Sequence, residues 1–92
     1  MKFERIERTD EILVAVHYRT AANRRGALTL VLMAATRKFT VNTSATARGM
    51  VGAGGFTAGG EFRCNVQEKF RAVVEAAAAQ LPADFKAAAT AV

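Results

Sequence analysis

The sequence predicts an α+β fold, in which an antiparallel β-meander of three to four strands packs against one amphipathic helix and a short C-terminal helix follows. Two periodicities support this. Apolar residues alternate with period two in the first half of the chain and recur with helical spacing in the second half. Because 92 residues build only one modest core, we expect residues 1–92 to form a single domain.

Residues 11–20 predict the first clear strand, because successive side chains alternate between an apolar and a more polar side. The apolar side holds Ile12, Val14, Val16 and Tyr18. Residues 2–8 either extend this strand or pair beside it, since Phe3 and Ile6 break the period of two.

Asn23 and Gly26 predict a turn, and residues 27–35 then predict a second strand. This strand is apolar on both sides, which indicates that it is covered on both faces or meets a partner. Residues 37–46 predict a third strand, with Phe39 and Val41 on its apolar side.

Six of the seven glycines lie in residues 49–60, and this density predicts a flexible loop. The segment matches neither the Walker pattern nor a dinucleotide-binding fingerprint. Residues 61–64 are a candidate for a short fourth strand.

Helices are predicted over residues 66–80 and 82–90. Asn65 followed by Glu68 is typical of a helix start, and Pro82 suits the first turn of the second helix. One helical face is apolar and holds Val66, Phe70, Val73, Val74, Ala77 and Leu81.

The net charge of +5 comes from the middle of the chain, because residues 12–60 hold six basic residues and no acidic one. In a meander, four arginines meet at one end of the sheet. These are Arg19, Arg24, Arg25 and Arg48. We expect the backbone amides of Gly52, Gly54 and Gly55 to join them in an anion site. Arg37 and Lys38 fall at the opposite end and would reach only a long ligand.

The sequence does not favour an enzyme. No paired carboxylates, metal-ligand cluster or Ser-His-Asp set can be assembled, because His17 is the only histidine and the acidic residues lie near the two ends of the chain. Cys64, the single cysteine, is more typical of a small buried residue than of a nucleophile. We therefore expect no catalytic residue, bound metal or cofactor.

The hypothesis that fits best is a non-enzymatic module that binds single-stranded DNA or RNA through the basic end of its sheet. Tyr18 and Phe56 are the candidates for base stacking. The order of a meander followed by a helix resembles small single-strand-binding coactivator and Whirly-type folds. This is an analogy of fold and assigns no residue.

An alternative is a small inhibitor or adaptor of the phage or mobile-element type, which would bind an acidic protein or nucleoprotein surface, for example of a host defence system. Leu13, Val31 and Met33 favour such a partner or a homodimer. A third and weaker hypothesis is that the protein binds an anionic nucleotide. One cysteine and a charged N-terminus without an apolar run predict a cytoplasmic protein that does not enter a membrane.

Overall fold

The computed structural model of the protein describes residues 1–43 and 49–92. Within these residues six strands are followed by two helices. The strands are β1 (Lys2–Arg8), β2 (Leu13–Arg19), β3 (Arg25–Met33), β4 (Lys38–Asn42), β5 (Met50–Phe56) and β6 (Phe62–Val66). The helices are α1 (Glu68–Ala78) and α2 (Ala83–Ala88).

All six strands form one antiparallel sheet in chain order, and this sheet curls into a half-barrel. Helix α1 packs against β1, β2 and β6, so it reaches both edge strands across the open side of the curl. The predicted α+β class is confirmed. The predicted number of three to four strands is wrong, because β1 and β5 are strands in their own right.

The core lies between the inner face of the sheet and the helices. On the strands it is built from alternate residues, such as Val14 and Val16 on β2 and Phe39 and Val41 on β4, which are fully buried. The apolar face predicted for the helical region is buried as expected. Its members Val66 and Leu81 lie just outside α1, in β6 and in the connection to α2.

The predicted glycine-rich loop over residues 49–60 is wrong for most of its length, since Met50–Phe56 form β5 between β4 and β6. Two glycines of this strand face the core, where a side chain would not fit at Gly52 and would be tight at Gly54. A Cβ at Gly52 would overlap the backbone of Asn65 and Val66, and one at Gly54 would lie 3.0 Å from the ring of Phe39. Close packing against β4 and β6 therefore explains glycines in a strand interior.

Strand β1 carries a bulge that explains its ambiguous pattern. Phe3 pairs with Tyr18 and Arg5 pairs with His17, so Glu4 is an extra residue in the ladder. Phe3 and Ile6 consequently both pack against the core although three positions separate them.

The predicted strands and helices otherwise shift by a few residues at their ends. The predicted third strand ends in the structure at Asn42, and its last predicted residues fall outside the described residues. Helix α1 begins at Glu68 rather than after Asn65, because β6 extends to Val66. Its N-cap is Gln67, which makes no side-chain capping bond.

Candidate functional site

The side of the sheet that faces away from the helices is called the outer face. Outward positions on β2 and β3 include Leu13, Ala15, His17, Arg19, Arg25, Ala27, Thr29, Val31 and Met33. Those on β4, β5 and β6 include Lys38, Thr40, Ala53, Gly55, Arg63 and Asn65. Strands β3, β4 and β5 carry no acidic residue at all, so the middle of this face has no negative side chain.

One end of the outer face holds a cleft of about 320 Å³, called the upper cleft. It is lined by Glu4, Arg5, His17, Arg19, Arg25 and Gly26. Arg19 and Arg25 are cross-strand neighbours at the ends of β2 and β3, where the hairpin between them begins. Arg19 bonds to the bulged Glu4 at 3.2 Å and donates to the carbonyl of Asn23.

His17 lines this cleft between Arg5 and Ala27 in the sheet register. Its Nε2 atom is buried and has no hydrogen-bond partner among the described residues. Buried polar atoms are normally bonded, so this nitrogen is an exception within the described residues. The sequence assigned no catalytic role to His17.

The predicted convergence of arginines is found for Arg19, Arg24 and Arg25, which lie around the β2–β3 turn. Neither Arg24 nor Arg25 makes an ion pair within the described part of the chain. Two cations at this end are therefore available to an anion. Arg48, the fourth predicted member, lies outside the described residues.

The opposite end of the outer face also carries cations. Strand β3 runs from Arg25 at the first end to Met33 at the second, about 26 Å at the usual rise per residue. Lys38 is the cross-strand neighbour of Met33 there, and it has no ion pair among the described residues. Arg37 lies next to it, but its guanidinium donates to the carbonyls of Thr90 and Ala87.

The three predicted glycines do not form a phosphate-binding loop with the arginines. Gly52, Gly54 and Gly55 lie in β5, whose backbone is paired on both sides with β4 and β6. Their amides therefore take part in the sheet rather than pointing at a ligand. Gly54 and Gly55 also lie toward the end of Lys38 rather than toward that of Arg24.

The two predicted stacking residues lie on the helix side of the sheet. Phe56 is only 6% exposed and packs in the core against Phe62, with the ammonium group of Lys86 over its ring. Tyr18 packs edge-on against Phe70, in a space left open because Gly26 has no side chain. Neither ring is presented on the outer face.

Arg63 is a cation of this face that the sequence reasoning missed. It pairs with Gly55 across β5 and β6 and forms an ion pair with Glu61 at 3.2 Å. The alternation of Arg63 and Asn65 with the more buried Phe62, Cys64 and Val66 was the signal that could have placed it on an outer face.

The remaining candidate groups show no assembled reaction centre within residues 1–43 and 49–92. Cys64 is partly buried on the inner side, and this burial raises the pKa of its thiol. In the same residues, no three His, Cys, Asp or Glu side chains gather to hold a metal ion. No helix described here is long and apolar enough to cross a membrane.

Comparisons of the chain with protein-family models, with curated proteins and with solved structures find no match.

Proposed function

We propose that the protein is a non-enzymatic module that binds single-stranded nucleic acid across its outer face. The observation that carries the proposal is the presence of cations at both ends of a face that neither described helix covers. The strands β3, β4 and β5, which run from one end to the other, have no acidic residue. Arg24 and Arg25 lie at one end and Lys38 at the other. A ligand that uses both ends must be a long polyanion, as a nucleic-acid strand is.

A single strand suits this surface better than a duplex. The outer face is a sheet, and α1, the longer helix, lies on the other side of it. Helix α1 carries two basic and two acidic residues, and Arg71 is paired with Glu68, so this helix offers no net positive charge to a groove. Single strands bind to such surfaces through a basic track that follows the backbone.

The positions of Tyr18, Phe39 and Phe56 on the inner side of the sheet determine the expected binding mode. Without an aromatic ring on the described outer face, base stacking would contribute little, and affinity would rest on phosphate contacts. We therefore expect binding that depends weakly on sequence and strongly on salt. The proposal places this activity in the cytoplasm, where a single cysteine stays reduced.

The direct test replaces Arg24 and Arg25 together by alanine. For a labelled single-stranded oligonucleotide, we expect weaker binding for every sequence tried. The slope of log affinity against log salt should become shallower by about 1.4, because each phosphate contact contributes about 0.7.

The matched control is the double variant Lys69→Ala/Arg71→Ala, which removes the same charge from α1 on the far side of the molecule. It should keep the affinity and slope of the wild type apart from a small long-range effect. Equal losses in both double variants would show a response to net charge alone, and an unchanged Arg24/Arg25 variant would remove the proposed site.

A second candidate function is the protein-binding inhibitor or adaptor. It is favoured by an aliphatic patch on the outer face, where Leu13 and Val31 are cross-strand neighbours and Met33 is 46% exposed. Val31→Asp should abolish a protein contact or a homodimer while it spares the cations. Size measurement by light scattering, alone and with a candidate partner, separates this function from nucleic-acid binding.

A further inference from the structure

The outer face contains a groove that follows β5, called the β5 groove. At its outward positions this strand has only the small Ala53 and Gly55, which has no side chain. The neighbouring strands carry Lys38 on one side and Arg63 and Asn65 on the other. The result is a depression of about 570 Å³ between two rows of longer side chains. This volume lies within the range of small-molecule sites.

Packing keeps the floor of the groove low. A Cβ at Gly55 would lie 3.0 Å from the carbonyl oxygen of Ala89 and 3.4 Å from Cγ of Lys38. The stem of Lys38 therefore lies close against β5 at the point where Arg63 pairs with Gly55 from the other side. Two strand spacings separate the backbones that carry these two cations, about 9.6 Å.

The two cations can turn to a ligand between them. Lys38 has no ion pair among the described residues. Among the described residues the Arg63 side chain bonds only to Glu61. Both side chains are about two-thirds exposed, so this ion pair contributes little to stability and is easily exchanged for a ligand. The Thr57 hydroxyl, which accepts a bond from the Glu61 amide, keeps its own proton to donate.

We propose that the β5 groove binds a dianionic phosphate monoester, carried either by a mononucleotide or by the 5′ end of a nucleic-acid strand. A monoester carries close to two negative charges at neutral pH and matches Lys38 and Arg63, whereas an internal phosphodiester carries one. The remaining length of the groove, along Ala53 and Asn65, receives the nucleoside. For a strand end this inference rests on the proposed function; for a mononucleotide it does not.

The first experiment locates the ligand. Amide NMR spectra are recorded with adenosine 5′-monophosphate, with its 5′-methyl phosphodiester and with adenosine. We expect the monophosphate to shift the amides of Lys38, Gly55 and Arg63 and to bind at least roughly tenfold more tightly than the diester, which loses one charge. Shifts centred on Arg24 and Arg25, or equal binding of all three compounds, would overturn the inference.

Variants then test the groove itself. Lys38→Gln/Arg63→Gln should remove monophosphate binding, and Lys69→Gln/Arg71→Gln on α1 should not. Ala53→Met fills the groove without a change of charge and should also weaken binding, while Ala15→Met, on the same face three strands away, should leave it intact. Thermal unfolding confirms that each variant is folded. Full binding by a folded Lys38/Arg63 variant would contradict the assignment.

Oligonucleotides with a 5′-phosphate and with a 5′-hydroxyl identify the source of the monoester. A preference for the phosphorylated strand that Lys38→Gln/Arg63→Gln removes supports a strand end. Monophosphate binding without any strand binding supports a mononucleotide as the ligand. It excludes the proposed function but not the phosphate site in the β5 groove. Strand binding that ignores the 5′-phosphate, together with no monophosphate shifts, ends this inference and leaves the proposed function intact.

Discussion

Gly52 and Gly54 belong to the middle of a sheet although glycine is rare there, and their neighbours explain this. Gly52 has the backbone of Asn65 and Val66 where its side chain would lie, and Gly54 has the ring of Phe39. Glycine at position 52 is thus a packing requirement of the inner face, whereas a methyl group at position 54 would need only a small shift of its neighbours. Gly59, in the β5–β6 turn, is different, since a Cβ there would meet only Thr57 Oγ1 at 3.8 Å.

Substitution of these glycines by alanine should separate the two situations. We expect Gly52→Ala to lower the free energy of unfolding by about 1–3 kcal/mol, because backbone atoms have to move to admit the methyl group. Gly59→Ala is the control and should stay within about 0.5 kcal/mol of the wild type. Urea unfolding measures both, and equal stability of the two variants would contradict the packing account.

Arg8 and Asp84 connect β1 to α2 through an ion pair of 2.6 Å, and Arg8 also donates to the carbonyls of Asp10 and Glu11. The hydrogen bond from Arg8 lowers the pKa of Asp84 below its usual value. A lowered folded-state pKa stabilises the fold above the unfolded pKa, and this contribution is lost as the pH falls through the folded value.

The pair should therefore give a pH-dependent stability. At pH 7 we expect Asp84→Asn to unfold at a lower temperature than the wild type, with the difference shrinking as the pH falls below about 4. Glu75→Gln removes the same charge from α1, where Glu75 has no ion pair among the described residues, and should show no such convergence. A wild-type advantage that persists at pH 2 would exclude this origin.

At the scale of elements, the sequence is informative where side chains alternate. The alternation in β2, β3 and β4 and the helical spacing in α1 are carried by large residues, and these elements are found near the predicted places. Strand β5 was missed because glycine has no side chain to reveal period two. Strand β1 stayed ambiguous because the bulge at Glu4 turns Phe3 and Ile6 to the same face.

The same limits apply to the candidate site. The cluster of Arg19, Arg24 and Arg25 was predictable, because a hairpin brings its two strand ends together whatever the rest of the fold. The β5 groove was not predictable, because it requires Lys38 and Arg63 to lie on either side of β5, and the glycine-rich sequence of β5 predicts a loop. The outward direction of Arg63 depends on the pairing of β6 with β5.

The C-terminal tail, residues 89–92, pairs with the end of β5. Ala89 accepts a bond from the Phe56 amide, and the Ala91 amide donates to the Phe56 carbonyl. Arg37 adds two bonds to the carbonyls of Thr90 and Ala87. Arg37 has a φ of 53°, in the left-handed region, so this placement has a backbone cost that the contacts offset.

Arg37→Gly should release the tail without backbone strain. We expect faster hydrogen exchange at the amides of Phe56 and Ala91, because the loss of the Arg37 bonds to Thr90 and to the end of α2 lets the tail open more often. The Leu32 amide, which donates to Ile12 at the β2–β3 pairing, serves as an internal reference and should keep its protection. Unchanged exchange at Ala91 would show that the strand-like pairing alone holds the tail.

At the scale of the whole molecule, the positive charge is distributed unevenly between the two sides. On the helix side Arg8 and Arg71 are paired with acidic residues, and Lys69 and Lys86 lie over aromatic rings. Arg25 and Lys38 on the outer face, and Arg24 in the turn before β3, have no acidic partner within the described residues. Free cations of the described residues are therefore concentrated on the outer face and at its end, where neither α1 nor α2 covers the sheet.

Salt dependence of oligonucleotide binding tests this account most directly. Fluorescence anisotropy of labelled single-stranded DNA and RNA is measured with the wild-type protein at increasing salt. If Arg24, Arg25, Lys38 and Arg63 each contact a phosphate, log affinity should fall with log salt at a slope of about −3. An absence of binding even at low salt, or an affinity that salt leaves unchanged, would contradict the claim that the outer face binds nucleic acid.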